Sequence, residues 1–167
     1  MYKDFINEVK FKGVDFKDIS PLLADQETFR SAIVDMGGLI IDEDFDGVPD
    51  YWVGIDSRGF LFAAALSTYF GGGVVCARKE GKLPNADRSV EYSLEYGRAT
   101  LEMQKGNGGS VIIVDDVLAT GGTIRATNRL AELSGYDVID NVVLIDLKSV
   151  PRVDDFDVNV KSVIEYE

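Results

Sequence analysis

The sequence contains no histidine, a single cysteine, a single tryptophan and four prolines in 167 residues. Without histidine there is no Ser-His or Cys-His arrangement and no imidazole metal ligand, so any acid–base chemistry falls to carboxylate, lysine or tyrosine. One cysteine cannot close an intramolecular disulfide, and Cys76 sits in the apolar run Gly73 to Ala77. That setting reads as a small core hydrophobe rather than a nucleophile. Positive charge is also scarce: 17 Lys and Arg stand against 29 Asp and Glu, a net charge of -12. Nucleic acid and anionic membrane surfaces both select a positive face, so neither is an expected partner. No apolar run has the length of a membrane span, and the start Met-Tyr-Lys-Asp-Phe lacks a secretory core, so a cytoplasmic location is expected. The length and the 46% hydrophobic content fit one domain over residues 1–167.

What is present is concentrated in residues 111–123, Val-Ile-Ile-Val-Asp-Asp-Val-Leu-Ala-Thr-Gly-Gly-Thr. The run Val111 to Val114 is β-branched and short, as in a strand buried on both faces of a parallel sheet. Asp115 and Asp116 end it at the edge where open α/β sheets bind ligands, and their oxygens can accept hydrogen bonds from vicinal hydroxyls. Ala119, Thr120, Gly121, Gly122 and Thr123 then form a turn into a helix. Glycines bring backbone N–H groups close to a ligand and the threonines add hydroxyl donors, which suits a phosphate. No Gly-Lys-Ser/Thr is present, so this is not a Walker A loop.

Further elements follow from periodicity. Helices are expected over about Tyr2 to Val9, Glu27 to Met36, Gly59 to Tyr69 and Thr123 to Leu133, with irregular chain between the first helix and Pro21. Strands are expected over Tyr51 to Ile55, Gly73 to Ala77, Val111 to Val114, Val142 to Asp146 and Val158 to Ile164. This alternation predicts an α/β fold with a mainly parallel sheet flanked by helices. Gly81 to Val90 is polar, broken by proline and glycine, and reads as a mobile loop. Arg58, Arg78, Lys79, Lys82 and Arg88 lie close together in sequence and reverse the acidic field locally.

The strand, acid pair, short spacer and Thr-Gly-Gly-Thr turn resemble the signature of the type I phosphoribosyltransferases, which bind 5-phosphoribosyl 1-pyrophosphate (PRPP). The resemblance extends over Gly13 to Pro21, Gly54 to Phe62, Arg78 to Pro84, Tyr92 to Gly97 and Glu165 to Glu167, and is strongest to members that take adenine. It implies the type I phosphoribosyltransferase fold, with a small N-terminal hood over about residues 1–40 and a core over about 50–167. The implied reaction moves the phosphoribosyl group to N9 of adenine, giving AMP and pyrophosphate. Hypoxanthine or guanine as acceptor, or a module that senses PRPP or a nucleotide without catalysis, are the alternatives.

The same resemblance distributes roles. Asp115, Asp116 and the Ala119 to Thr123 loop hold the ribose and its phosphate; Asp56, Ser57, Arg58, Lys79 and Lys82 meet the pyrophosphate, with Arg58 also catalytic. A cis peptide in the Asp56 loop is a family feature. Glu95, in Tyr-Ser-Leu-Glu-Tyr-Gly, takes the base proton, since a carboxylate raised by partial burial can serve where histidine is missing. Asp15, Phe16, Lys17 and Leu147 frame the base. The chain departs from the family at Asp15, where a small apolar residue is common, and at Lys17, where arginine is common. A lysine cannot reproduce arginine's planar fork. Backbone groups at Asp15 could still read adenine. Magnesium is implied as a cofactor carried mainly by PRPP with no direct protein ligand, and a homodimer is implied as the assembly.

Overall fold

The computed structural model describes residues 1–41, 47–94 and 97–167. A seven-stranded sheet organises the chain. Its strands are β3 (Tyr51–Ile55), β4 (Gly73–Lys79), β5 (Arg88–Ser93), β6 (Arg98–Met103), β7 (Ser110–Leu118), β8 (Asp137–Leu147) and β9 (Lys161–Tyr166), in the order β5-β6-β4-β3-β7-β8-β9. From β4 through β9 the neighbours are parallel, while β6 joins β4 antiparallel and pairs with β5 as a hairpin.

Side-chain alternation on the central strands builds two cores. Trp52, Ile112, Val114 and Leu144 face α2 (Gln26–Gly38) and α3 (Gly59–Phe70). Val53, Ile55, Val111, Ile113 and Val143 face α4 (Gly122–Leu133), which meets them with Ile124, Leu130 and Ala131. Trp52 is fully buried, and its ring N–H donates to the Gly71 carbonyl at 2.8 Å, so the large apolar body is placed without an unpaired donor. The Asp25 carboxylate accepts the Thr28 N–H at 2.9 Å, which caps α2. No helix is long and apolar enough to cross a membrane among the described residues.

Chain order turns outward in opposite directions from the middle of the sheet: β3 leads through α3 to β4, and β7 leads through α4 to β8. A crevice therefore opens between the carboxyl ends of β3 and β7, which is where such sheets bind ligands.

Three expectations are corrected. The helix expected over Tyr2 to Val9 is a single 3-10 turn (Tyr2–Phe5) followed by strand β1 (Asn7–Phe11), and the supposedly irregular stretch holds β2 (Val14–Asp18) and the short helix α1 (Ser20–Ala24). Strands β1 and β2 form a hairpin through Lys12 and Gly13, whose φ values of 51° and 83° give the left-handed pair that matches strand twist. Alternation of Val9, Phe11, Val14 and Phe16 about that turn is the period-two signal that outweighs the helical one. Second, the segment after β4 is only in part a loop, since Arg88 to Val90 belongs to β5. Third, β7 does not end at Val114 but continues through Asp115 and Asp116 to Leu118, held by β8 along its length.

Candidate active site

The acid pair sits within a hydrogen-bonded strand, so its geometry is fixed by the ladder rather than by a turn. Asp116 is buried, and its N–H donates to the Asp115 carboxylate at 2.9 Å. Burial, and next the charge of Asp116, push the Asp115 carboxyl well above the ordinary range. Arg58 answers that charge from across the crevice: its Nε donates to Asp116 Oδ2, and its guanidinium lies 5.0 Å from the centroid of the Phe16 ring. One cation thus bridges β7 of the main sheet and β2 of the N-terminal hairpin.

A stability consequence follows. Asp115 binds its proton more tightly folded than unfolded, so the folded form holds more protons between the ordinary aspartate value of about 3.9 and the raised one. Stability from this group is complete below the lower value and is lost as pH rises through the upper. Asp115→Asn keeps the oxygen that accepts the Asp116 N–H but removes the titration. Thermal melts should show the variant a few degrees more stable near pH 7, with the gap closing towards pH 4. Equal melting temperatures at every pH would contradict the assignment.

The loop after β3 places Asp56, Ser57 and Arg58 beside the acid pair. The Asp56–Ser57 peptide is cis, as the resemblance led us to expect. Asp56 points inward, accepting the Lys79 N–H at 3.2 Å with Arg78 Nε at 3.5 Å, and its side chain is only 4% exposed. The carboxylate therefore braces the ends of β3 and β4, leaving Arg58 and the start of α3 to face the crevice. Lys79, the last residue of β4, and Lys82, just beyond it, are exposed.

Residues Ala119 to Thr123 pass from β7 into α4. Gly121 has φ of 84°, and a Cβ there would lie 2.5 Å from the Phe156 ring, so both conformation and space require glycine. Among the described residues no side chain caps the first turn of α4, which leaves its N–H end and its dipole directed at whatever occupies the loop. That is an anion site in form.

Residue reading overlooked what holds this loop from behind. Arg152 donates through Nη2 to the carboxylate of Asp146, and through Nη1 to the Ala119 carbonyl and to the Leu147 carbonyl, the last at 3.2 Å. Val153 N–H donates to the Thr120 carbonyl at 2.8 Å. Segment 150–157 reads in sequence as an acidic connection, and the lone Arg152 within it was the only available signal. A broad groove of about 1310 Å³ lies on the flank of the loop, between β5 and α4, and touches Gly122 and Arg152 but not the acid pair.

The candidate base residues on the hairpin divide between its two faces. Phe16 is half-buried and faces Arg58, with the Phe11 ring 5.7 Å away. Asp15 is exposed and its carboxylate pairs with Lys10 at 2.6 Å; the hydrogen bond from Lys10, and then its charge, hold the carboxyl below its ordinary value. Lys17 pairs with Glu8 at 2.8 Å. Leu147 ends β8 and packs against the core shared with α2 and α3. Glu95 and its neighbour Tyr96 lie outside the described residues. Cys76 is half-buried, and burial raises its thiol.

A crevice with a diol-directed acid pair, a bridging guanidinium and an uncapped helix start can hold a phosphorylated sugar. The comparisons agree. The sequence profile of the phosphoribosyl transferase domain matches residues 25–166. The adenine phosphoribosyltransferase of Hydrogenovibrio crunogenus is 44% identical over 99% of this chain and 95% of its own, and the rat enzyme of that name is 47% identical over 83% and 78%. The crystal structure of adenine phosphoribosyltransferase from Thermoanaerobacter pseudethanolicus superposes with a TM-score of 0.87 at 36% identity, covering 99% of this chain and 98% of that one. The Saccharomyces cerevisiae structure, complexed with adenine and an imino-altritol bisphosphate, gives 0.87 at 33% identity over 96% and 95%. By sequence over nearly its whole length and by fold, the chain belongs to the phosphoribosyltransferase family, among the adenine phosphoribosyltransferases.

Proposed function

We infer that the protein transfers the 5-phosphoribosyl group of PRPP to N9 of adenine, releasing AMP and pyrophosphate. The observation that carries this reading is the Arg58 bridge between Asp116 of the acid pair and Phe16, in a chain similar over its length to adenine phosphoribosyltransferases. In the reaction the bond from ribose C1 to the pyrophosphate oxygen breaks and the bond from C1 to N9 forms, through a cation-like sugar. Asp115 and Asp116 accept from the ribose hydroxyls, which must displace Arg58 from Asp116. Ala119, Thr120, Gly121, Gly122 and Thr123 take the 5-phosphate at the start of α4. The freed Arg58, with Ser57, Lys79 and Lys82, meets the charge that develops on the pyrophosphate, while Asp56 braces this loop. Glu95 accepts the N9 proton.

The base is framed by the hood, about residues 1–40, and the core, about 50–167, with Phe16 and Leu147 as apolar surfaces. The Asp15 carboxylate is committed to Lys10, which supports recognition of adenine by the Asp15 main chain. Adenine offers an acceptor at N1 and donors at N6, and the N–H and C=O of a single strand residue, which point to the same side, match that pair.

Among the described residues no three His, Cys, Asp or Glu side chains gather into a metal cluster. Magnesium would therefore be carried by the phosphate and hydroxyl oxygens of PRPP rather than by direct protein ligands, in keeping with its preference for phosphates and water. Carried on PRPP, it would neutralise charge on the pyrophosphate. We also propose a homodimer working in the cytoplasm. Helix α3 supports the dimer: Leu61, Ala64, Thr68 and Tyr69 form an exposed stripe, with Leu61 48% and Tyr69 51% accessible on a helix apolar nearly all round.

Pyrophosphate release should be measured with adenine, hypoxanthine, guanine and no base, with and without a magnesium chelator, beside sedimentation of the native chain. Adenine should give at least ten times the specificity constant of the other bases. Preference for another base overturns the adenine assignment, silence with all of them overturns transfer, and a monomer mass overturns the dimer.

A further inference from the structure

Alternation along β1 and β2 puts Val9, Phe11, Val14 and Phe16 on one face of the hairpin and Glu8, Lys10, Asp15 and Lys17 on the other. Lys17 is therefore turned away from Phe16. Its ammonium lies 2.8 Å from Glu8 Oε2 and 4.0 Å from the centroid of the Tyr166 ring, and its side chain is only 17% exposed. Lys3, in the N-terminal turn, places its ammonium 4.4 Å from the same ring. Two cations thus converge on one aromatic ring, with Glu8 offsetting their mutual repulsion. Tyr166 itself is fixed to the main sheet: it stands opposite Leu147 in the β8–β9 ladder, and its carbonyl accepts the Lys148 N–H at 2.7 Å.

We propose that Tyr166 is a positioning residue for the base, a clamp that holds Lys3 and Lys17 to the end of β9 and so sets where the hairpin carries Phe16 relative to Arg58 and Leu147. This rests on the adenine-transfer reading above, and it gives Lys17 the part of a strut for the base subsite. The attraction is that of a cation for an aromatic face, strengthened by partial removal from water. Arginine at this position would stack its plane on such a ring; the compact lysine head instead needs both the ring and Glu8 to hold it.

The test compares the native protein with Tyr166→Leu, Tyr166→Phe and Lys17→Met, in steady-state kinetics and in amide hydrogen exchange. Tyr166→Leu keeps apolar bulk without the ring and should raise KM for adenine about fivefold, leaving KM for PRPP and kcat within about twofold. Exchange over residues 7–18 should quicken, with β3 and β7 unchanged. Tyr166→Phe, which keeps the ring face, should behave as native, and Lys17→Met should reproduce the leucine variant. Native behaviour of Tyr166→Leu overturns the clamp, as does damage by Tyr166→Phe equal to that by Tyr166→Leu. A uniform rise in exchange and in both KM values overturns it too, since that is general destabilisation. Should Tyr166→Leu not fold, Lys17→Met decides by the same readouts. If the native protein turns over no adenine, the functional reading fails, and the exchange comparison still decides the clamp.

Discussion

Glu95→Gln should lower kcat by about 10²- to 10⁴-fold, the range general base catalysis supplies, while both KM values stay within about threefold. The chain has no histidine to share the proton's path. N9 of adenine must lose a proton as its bond to C1 forms, and a glutamate screened from water by a closed site can hold a proton affinity suited to that task. Glutamine keeps the size and an acceptor oxygen but cannot take the proton. The acidic limb of the kcat profile should vanish with it, because that limb reports protonation of the base. Turnover within about threefold of native at saturating substrates would remove Glu95 from the mechanism.

Arg152→Met should cost about 2–3 kcal/mol of stability and, separately, raise KM for PRPP. Breaking a buried ion pair by removing one partner costs about 3–5 kcal/mol, because the other charge is left without compensation. Asp146 is 4% exposed, but Lys148 at 2.7 Å retains part of its pairing, which lowers the expected loss. For a chain of this size the melting temperature should fall by about 4–12 °C. The effect on PRPP has a different origin: the Arg152 fork ties the Ala119 carbonyl to β8, so its loss frees the loop that receives the phosphate. Arg152→Lys keeps the charge without the fork and should recover stability more than KM. Melting curves and KM values for the two variants check this, and a methionine variant native in both would refute it.

These two residues sit at opposite ends of what can be read from a sequence. Glu95 is proposed from its motif alone, since a local pattern of residue types can be read without coordinates. Arg152 could not be found that way. Its partners Asp146 and Leu147 end β8 whereas Ala119 follows β7, and only the parallel pairing of β7 with β8 brings those carbonyls and that carboxylate within reach of one guanidinium.

The same contrast runs through the fold. Strands β3, β7 and β8 were legible because burial on both faces demands apolar, β-branched runs. Helices α2, α3 and α4 were legible as well, α2 and α4 by their apolar stripes and α3 by an apolar run between glycines. Strands β5 and β6 were missed because they extend the sheet at its exposed edge, where Arg88, Glu91 and Arg98 are solvated and only Val90, Tyr92, Leu101 and Met103 pack inward. The start of β1 was read as helix and β2 as irregular chain because five residues offer too few repeats to separate period two from period 3.6.

By itself, then, the sequence determined the chemistry on offer: acids at the end of an apolar run, a glycine turn into a helix, a cation after a strand, and no imidazole. Tertiary structure decided which groups meet. Asp56 turns inward as a brace, Arg58 spans from Asp116 to Phe16, and Lys17 faces Tyr166 on the side of the hairpin away from Phe16. The physical reason is that residue type fixes what a side chain can donate or accept, whereas its direction is set by strand alternation and by the register between strands distant in sequence.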